Sequence, residues 1–271
     1  MERTEASYPV IETFDSIPVE YLPTYKGKQL PVTFFAKRGG LMYDTFDPDI
    51  DDQDYIGVFL PSDETLYSFT GDGHHSEILT GPMDLVYYSI HKFMSLVAKG
   101  SPNVILPLFN PMYQSVIHRN IITNLLPTFV TKDLFDRTLR FAIAQADETL
   151  VLEKKFKGYN GEKRKKLIQE LGYDPKNACS ALILFYICGE IAQFPKSQTL
   201  SVAVDERDFY MSVKRGYFSK DEIGKLLKMH HDRAESLDTK YLPVVHPNWS
   251  LHLSKRYIRG TIEQFEGKWI A

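Results

Sequence analysis

Six aspartates fall within eleven positions of the stretch "GGLMYDTFDPDIDDQDYIGVFLP", residues 39–61: Asp44, Asp47, Asp49, Asp51, Asp52 and Asp54. Carboxylates this close repel one another, so water or cations must offset their charge. Two readings compete, a solvated acidic turn around Pro48 and a site for divalent metal. An EF-hand calcium loop fails at two positions. Counted from Asp47, the sixth residue should be Gly and is Asp52, and the twelfth should be Glu and is Val58. Magnesium suits the pattern better. Residues two apart on a strand share a face, which points Asp52 and Asp54 one way and turns Asp51 and Gln53 away. Asp84, opening the next apolar run, adds a third carboxylate if the two strands are neighbours. Two ions about 3.5–4 Å apart on such a set clamp the attacking and leaving oxygens of an in-line phosphoryl or nucleotidyl transfer. Gly39 and Gly40 lie just upstream, where bare backbone N–H groups can approach a triphosphate.

The elements that must hold these residues are legible in the apolar patterning. "LPVTFFA" at 30–36 reads as a strand, and "DQDYIGVFLP" as a second that Pro61 ends. "MDLVYYS" at 83–89 reads as a third, running into a helix with Ser89 as N-cap and Gly100 as its stop. Between the second and third strands, "SFTGDGHHSEILTGP" reads as a surface connection. His74 and His75 without a third ligand make a poor zinc site. From residue 129 onward the period becomes helical: "DLFDRTLRFAIAQADETLVLEKKF", "GEKRKKLIQELG", "DPKNACSALILFYICGEIAQF" with Pro175 in its first turn, and "SKDEIGKLLKMHHDRAESL" with a capping box from Ser219 to Glu222. The expected organisation is an α/β domain over 1–128 and a mostly helical domain over 129–271.

Composition bounds the rest. The 271 residues carry 43% hydrophobic and 25% charged side chains, an ordinary balance for a globular protein. A net charge of -3 argues against bulk attraction to nucleic acid, leaving it open as a substrate. Cys179 and Cys188, nine apart on one helix, are about 13 Å apart by helical rise and cannot pair. They read as reduced core residues of a cytoplasmic protein. No run of eighteen apolar residues occurs, and "MERTEASYPV" lacks the order of a signal peptide, so no membrane association is expected. The basic stretch "EKKFKGYNGEKRKK", with Lys154, Lys155, Lys157, Lys163, Arg164, Lys165 and Lys166, could touch a phosphate backbone but reads first as a solvated helix end and loop. The pair His230 and His231 and the segment "VVHPNWSLHLSKRYIRG" have no spacing that suggests chemistry and read as structural.

The order of glycine pair, acidic loop, D-x-D strand and Asp-led strand resembles the DNA polymerase β superfamily of nucleotidyltransferases. More narrowly, "GGLMYD", "DDQDYIGVF", "DLVYYSIHKF", "KGSPNVILPLF" and "LIQELGYDPKNACSALI" resemble a nucleotidyltransferase family that includes RNA-ligase-associated members, over roughly residues 34–215. The resemblance implies an α/β (α+β) fold with a small mixed sheet followed by a helical domain. It implies metal binding by Asp52 and Asp54, with Asp84 as third carboxylate and candidate base for the acceptor hydroxyl. It also places Gly39 and Gly40 around the triphosphate and Lys176 near the phosphates; on its own chemistry Lys176 reads as a first-turn helix lysine facing water.

The chain departs from the family pattern at several positions. Gly40 stands for Ser, Asp44 for Gly, Ile56 for Arg, Leu106 near an expected Glu, and Ser180 and Ile183 for His and Arg. Arg to Ile removes a bidentate phosphate donor with no evident substitute charge. The expected activity is Mg2+-dependent transfer of a nucleoside monophosphate from a nucleoside triphosphate to a hydroxyl of RNA, a nucleotide or a protein. The alternative is a degenerate member that binds nucleotide or a partner without turnover.

Overall fold

The computed structural model describes residues 11, 16–25, 27–61, 75–80, 83–109, 114–115, 126–151, 162–194 and 200–244. Its centre is a mixed sheet built where β-branched and aromatic residues alternate. Strands β3 (Val32–Lys37), β4 (Gln53–Phe59), β5 (His75–Thr80), β6 (Met83–Ser89) and β7 (Gln114–Ser115) lie in the order β5-β6-β4-β3-β7. Only the central pair β4–β6 is parallel, with Asp54 opposite Asp84 and Ile56 opposite Val86. A separate two-stranded ribbon joins β1 (Thr24–Tyr25) and β2 (Lys28–Gln29).

The three strands expected from patterning are present. The connection before β6, expected as a plain loop, contains β5, which pairs antiparallel with β6 from Met83 to Tyr88. A polar run bounded by glycines hides an edge strand because only one of its edges is paired and no alternating apolar face is required. The zinc question for the histidine pair rests partly on residue 74, outside the described residues. The C-terminal segment from 245 and Lys154, Lys155 and Lys157 also lie outside them.

Each face of the sheet is buried. Phe35, Tyr55, Phe59, Leu85 and Tyr87 pack on one side with Ile11 and Ile17. Gly57 is required there, since a Cβ would meet the Tyr87 ring at 2.3 Å. Phe34, Ala36, Ile56 and Val58 face the helices on the other side. Asp54 shares that helical face by alternation along β4, as Asp84 does with Val86 along β6.

The helices are α1 (Gly39–Met42), α2 (Ile90–Ala98), α3 (Pro102–Ile105), α4 (Lys132–Leu150), α5 (Glu162–Leu171), α6 (Pro175–Gln193), α7 (Arg207–Lys214) and α8 (Lys220–Glu235). Their starts follow local chemistry. Ser89 caps α2 by accepting from Lys92 N, and Ser219 with Glu222 closes the expected capping box on α8. The buried Asp174 carboxylate caps α6, accepting from the N–H groups of Lys176 and Asn177. α6 is apolar around its circumference because α4, α7 and α8 all pack on it. The same buried cluster runs from β3 and β4 through α4, α6 and α8, so residues on both sides of position 128 share one core. Cys179 and Cys188 are buried free thiols in α6. Among the described residues no helix is long and apolar enough to cross a membrane.

Candidate nucleotide-transfer site

Within the acidic stretch Pro48 and Asp49 lie in an exposed turn, whereas Asp47 and Asp51 are buried. Four of its carboxylates meet basic side chains of the helical half. Arg207 Nη2 stands 2.7 Å from Asp44, Arg215 Nε 3.1 Å from Asp47, and Lys214 Nζ 2.7 Å from Asp51. Lys176 Nζ lies 3.6 Å from both Asp51 and Asp52. The innermost contact is Lys214. Its ammonium, 3% exposed, donates to Asp51 Oδ2 and to the carbonyl of Thr45, and Asp51 Oδ2 also accepts from Asp47 N at 2.9 Å. Helix α7 thus carries a row of cations that holds the acidic loop against the helices.

This geometry corrects two sequence expectations. β4 starts at Gln53, so strand alternation does not reach Asp51 and Asp52. Asp51, expected to turn away, is buried and lines the cleft beside Asp54, whereas Asp52 is half-exposed at the cleft edge with Lys176. Lys176, expected from its own chemistry to face water, is only 19% exposed and points at the acids.

Asp54 is the electrostatic centre. Its carboxyl is raised to about 6 overall: burial pushes it up most, Lys176 and Arg38 pull it down, and Asp84 and Asp52 push it up. These opposed influences place both neighbouring acids and two cations within electrostatic reach of one carboxylate. Arg38 also answers the expectation that Ile56 leaves no substitute charge. Ile56 is wholly buried in the sheet core, but Arg38, at the end of β3, lies beside Asp54 and lines the same cleft.

The glycine pair sits against these acids. Gly39 has φ +54, and a Cβ there would stand 2.7 Å from Asp54 Oδ2. At Gly40 a Cβ would meet Asp51 Oδ2 at 3.0 Å and Lys214 Nζ at 3.1 Å. Any larger residue at position 39 therefore combines a left-handed backbone with a clash against the central carboxylate. The pair opens the short helix α1. Asp44, where the family pattern has Gly, has φ +53. The backbone requires the left-handed region at this position, and Asp is among the few other residues that tolerate it.

The cleft has a volume of about 200 Å³ and runs from Arg38, Gly39 and Asp54 along α6 from Lys176 to Leu184, with α3 and α4 as its far wall. Ser180 and Ile183, two of the positions that depart from the family pattern, lie in this wall.

The donor set fits a hard divalent cation in its chemistry. Asp54 and Asp84 are oxygen donors at one level of adjacent parallel strands, and burial above all, with Asp84 and Asp52 adding to it, raises Asp54. As the side chains stand, no three His, Cys, Asp or Glu among the described residues group closely enough to hold a metal ion. Lys176 and Arg38 supply the positive charge next to the acids.

Arg164 from the basic stretch is otherwise committed. Its guanidinium bonds Asp174 at 2.7 Å and Asn177 at 3.1 Å, locking α5 to the N-terminus of α6. Lys214, Arg215, Arg207 and Arg38 were not legible as site residues. Lys214 and Arg215 are brought to the acids across more than 160 positions.

A mixed sheet with paired aspartates on its central parallel strands, a glycine turn against them and a helical wall define a polymerase-β-type nucleotidyltransferase fold. The sequence model of the RNA repair pathway DNA polymerase beta family matches residues 17–159, more than half of the chain, and the protein belongs to that family. No curated protein matches the chain in sequence.

Proposed function

We propose that this protein is a Mg2+-dependent nucleotidyltransferase that moves a nucleoside monophosphate from a nucleoside triphosphate to a hydroxyl of RNA, a nucleotide or a protein. One observation carries the reading: Asp54, with Asp84 opposite it and Asp52 near it, lies directly against the Gly39–Gly40 turn in a cleft that also holds Arg38 and Lys176. Carboxylates beside a glycine turn and two cations form a site for a polyanion that arrives with divalent metal.

When bound, divalent cations supply charge neutralisation of the phosphates and polarise the reacting oxygens. Asp54 and Asp84 would hold them, with Asp52 at the edge. The chain's own residues do the rest. Gly39 and Gly40 let the backbone lie directly against the Asp54 and Asp51 carboxylates, and Arg38 and Lys176 would offset the phosphate charge. Asp84 is the candidate acceptor of the hydroxyl proton. The Asp51–Lys214 pair fixes the loop that carries Asp52. Two free buried thiols suit a reducing compartment, and the reading places the protein in the cytoplasm.

The test is thermal shift with the four ribonucleoside triphosphates, with and without Mg2+, followed by transfer of labelled nucleotide to RNA and protein pools. The expected result is a Mg2+-dependent rise that Asp52→Asn/Asp54→Asn abolishes; an unchanged rise in that double variant sinks the site. The second reading, a nucleotide-binding or interaction module without turnover, is favoured by the apolar Ile56 and Ile183. It predicts a nucleotide shift with no incorporation of label.

A further inference from the structure

We infer that Phe141 and Gln145 of α4, with Asn103 of α3 and Ser180 of α6, form a nucleoside slot that sets which triphosphate the protein accepts. The inference rests on the nucleotidyl-transfer reading and adds the residues that select the substrate.

The placement follows from the packing of two helices. α4 and α6 are antiparallel: Asp174 N donates to the Thr149 carbonyl at 2.9 Å, and Asn177 Nδ2 donates to Glu148 at 3.3 Å. Moving down α6 from Lys176 is therefore moving back up α4. Gln145 lies one turn before Thr149, level with Ser180, and Phe141 one turn further, level with Ile183 and Leu184. All of these residues line the one cleft. At 1.5 Å per residue the Gln145–Ser180 level is about 6 Å from Lys176, and the Phe141 level about 10–12 Å. A nucleotide with its phosphates at Lys176 and Gly39 places its sugar and base at these two levels.

The chemistry changes along the cleft in the same order. On α6 the charged cleft residue is Lys176; Lys214, which also lines the cleft, is paired with Asp51. The next level is neutral and polar, with the carboxamide of Gln145 and the Ser180 hydroxyl, whose own hydrogen goes to the Lys176 carbonyl at 3.0 Å and leaves the oxygen as an acceptor. The last level is apolar, with Ile183, Leu184 and the face of Phe141, which is 36% exposed on an otherwise amphipathic helix. An exposed aromatic at the mouth of an apolar slot offers a stacking surface, and a carboxamide offers one donor and one acceptor to a base or sugar edge.

The experiment measures affinities of ATP, GTP, CTP, UTP and inorganic tripolyphosphate with Mg2+ for the wild-type chain, Phe141→Ala, Gln145→Ala and Asn103→Ala. Tripolyphosphate reports the phosphate end alone. Thermal melts without ligand show that the exposed-face variants are folded. The expected result is that the wild type binds at least one nucleoside triphosphate more tightly than tripolyphosphate. Phe141→Ala weakens that triphosphate about tenfold, the scale of one lost base stack, with tripolyphosphate unchanged. Gln145→Ala or Asn103→Ala flattens the ranking among the four bases. If nucleoside triphosphates bind but their affinities and ranking are the same in all three variants, the slot is overturned while the transfer reading stands. If no triphosphate binds the wild type, both fall.

Discussion

Asp54 is a carboxyl that the fold makes reluctant to ionise, and the sign of that reluctance can be measured. Its folded value of about 6 lies above the ordinary 3.8, so the folded chain binds this proton more tightly than the unfolded chain. The contribution therefore favours the fold below about pH 4 and is lost as pH rises through about 6. Without divalent cations, the difference in unfolding free energy between wild type and Asp54→Asn should change over this interval, with the variant the more stable at pH 7. A difference that is flat with pH contradicts the burial of Asp54. Asp44 gives a second residue-scale expectation. Its φ of +53 suits Gly, and its ion pair with Arg207 is largely exposed and so contributes little. Asp44→Gly should be neutral or stabilising by up to about 1 kcal/mol, whereas Asp44→Val should cost about 1–2 kcal/mol, read from denaturant midpoints.

At the scale of elements, α7 is what sequence reading missed and what explains the acidic loop. The D-x-D motif, the Asp-led strand and the glycine pair were legible because strand alternation and backbone freedom act over a few residues. The facing of Asp51 does not follow from alternation, because β4 starts at Gln53, two residues after it. Lys214 and Arg215 were invisible for another reason: "MSVKRG" is an unremarkable helix end, and only the tertiary fold brings it to Asp47 and Asp51. The strand at β5 was missed because an edge strand in a glycine-rich run lacks a periodic face. The α7 contact predicts a thermodynamic cycle. Lys214→Met leaves the Asp51 carboxylate buried with only Lys176, at 3.6 Å, as a cation and should cost about 1–3 kcal/mol. Asp51→Asn/Lys214→Met removes both charges and should recover a large part of that loss. Additive losses in chemical denaturation would show that the two groups do not act as a pair.

Across the whole molecule, the expected boundary near residue 128 separates two patterns of sequence but not two sets of buried side chains. Phe34, Ile56 and Val58 of the sheet belong to the same cluster as Leu134, Leu182 and Ile187 of the helical half. The buried Lys214–Asp51 bond adds a polar tie between the halves. A shared core makes opening of either half expose the apolar face of the other, which couples their unfolding. The cleft lies along this shared surface, with Gly39 and Asp54 from one half and Lys176 and Gln145 from the other. Chemical unfolding of the full chain should therefore be one transition, with far-UV circular dichroism and tyrosine near-UV signals coincident. Ala181→Trp, overpacking α6 where it is wholly buried, should shift both signals together to lower denaturant. Two separated transitions, with only the helical signal moved by that substitution, would mean that each half carries a sufficient core of its own and that the cleft can open without either half unfolding.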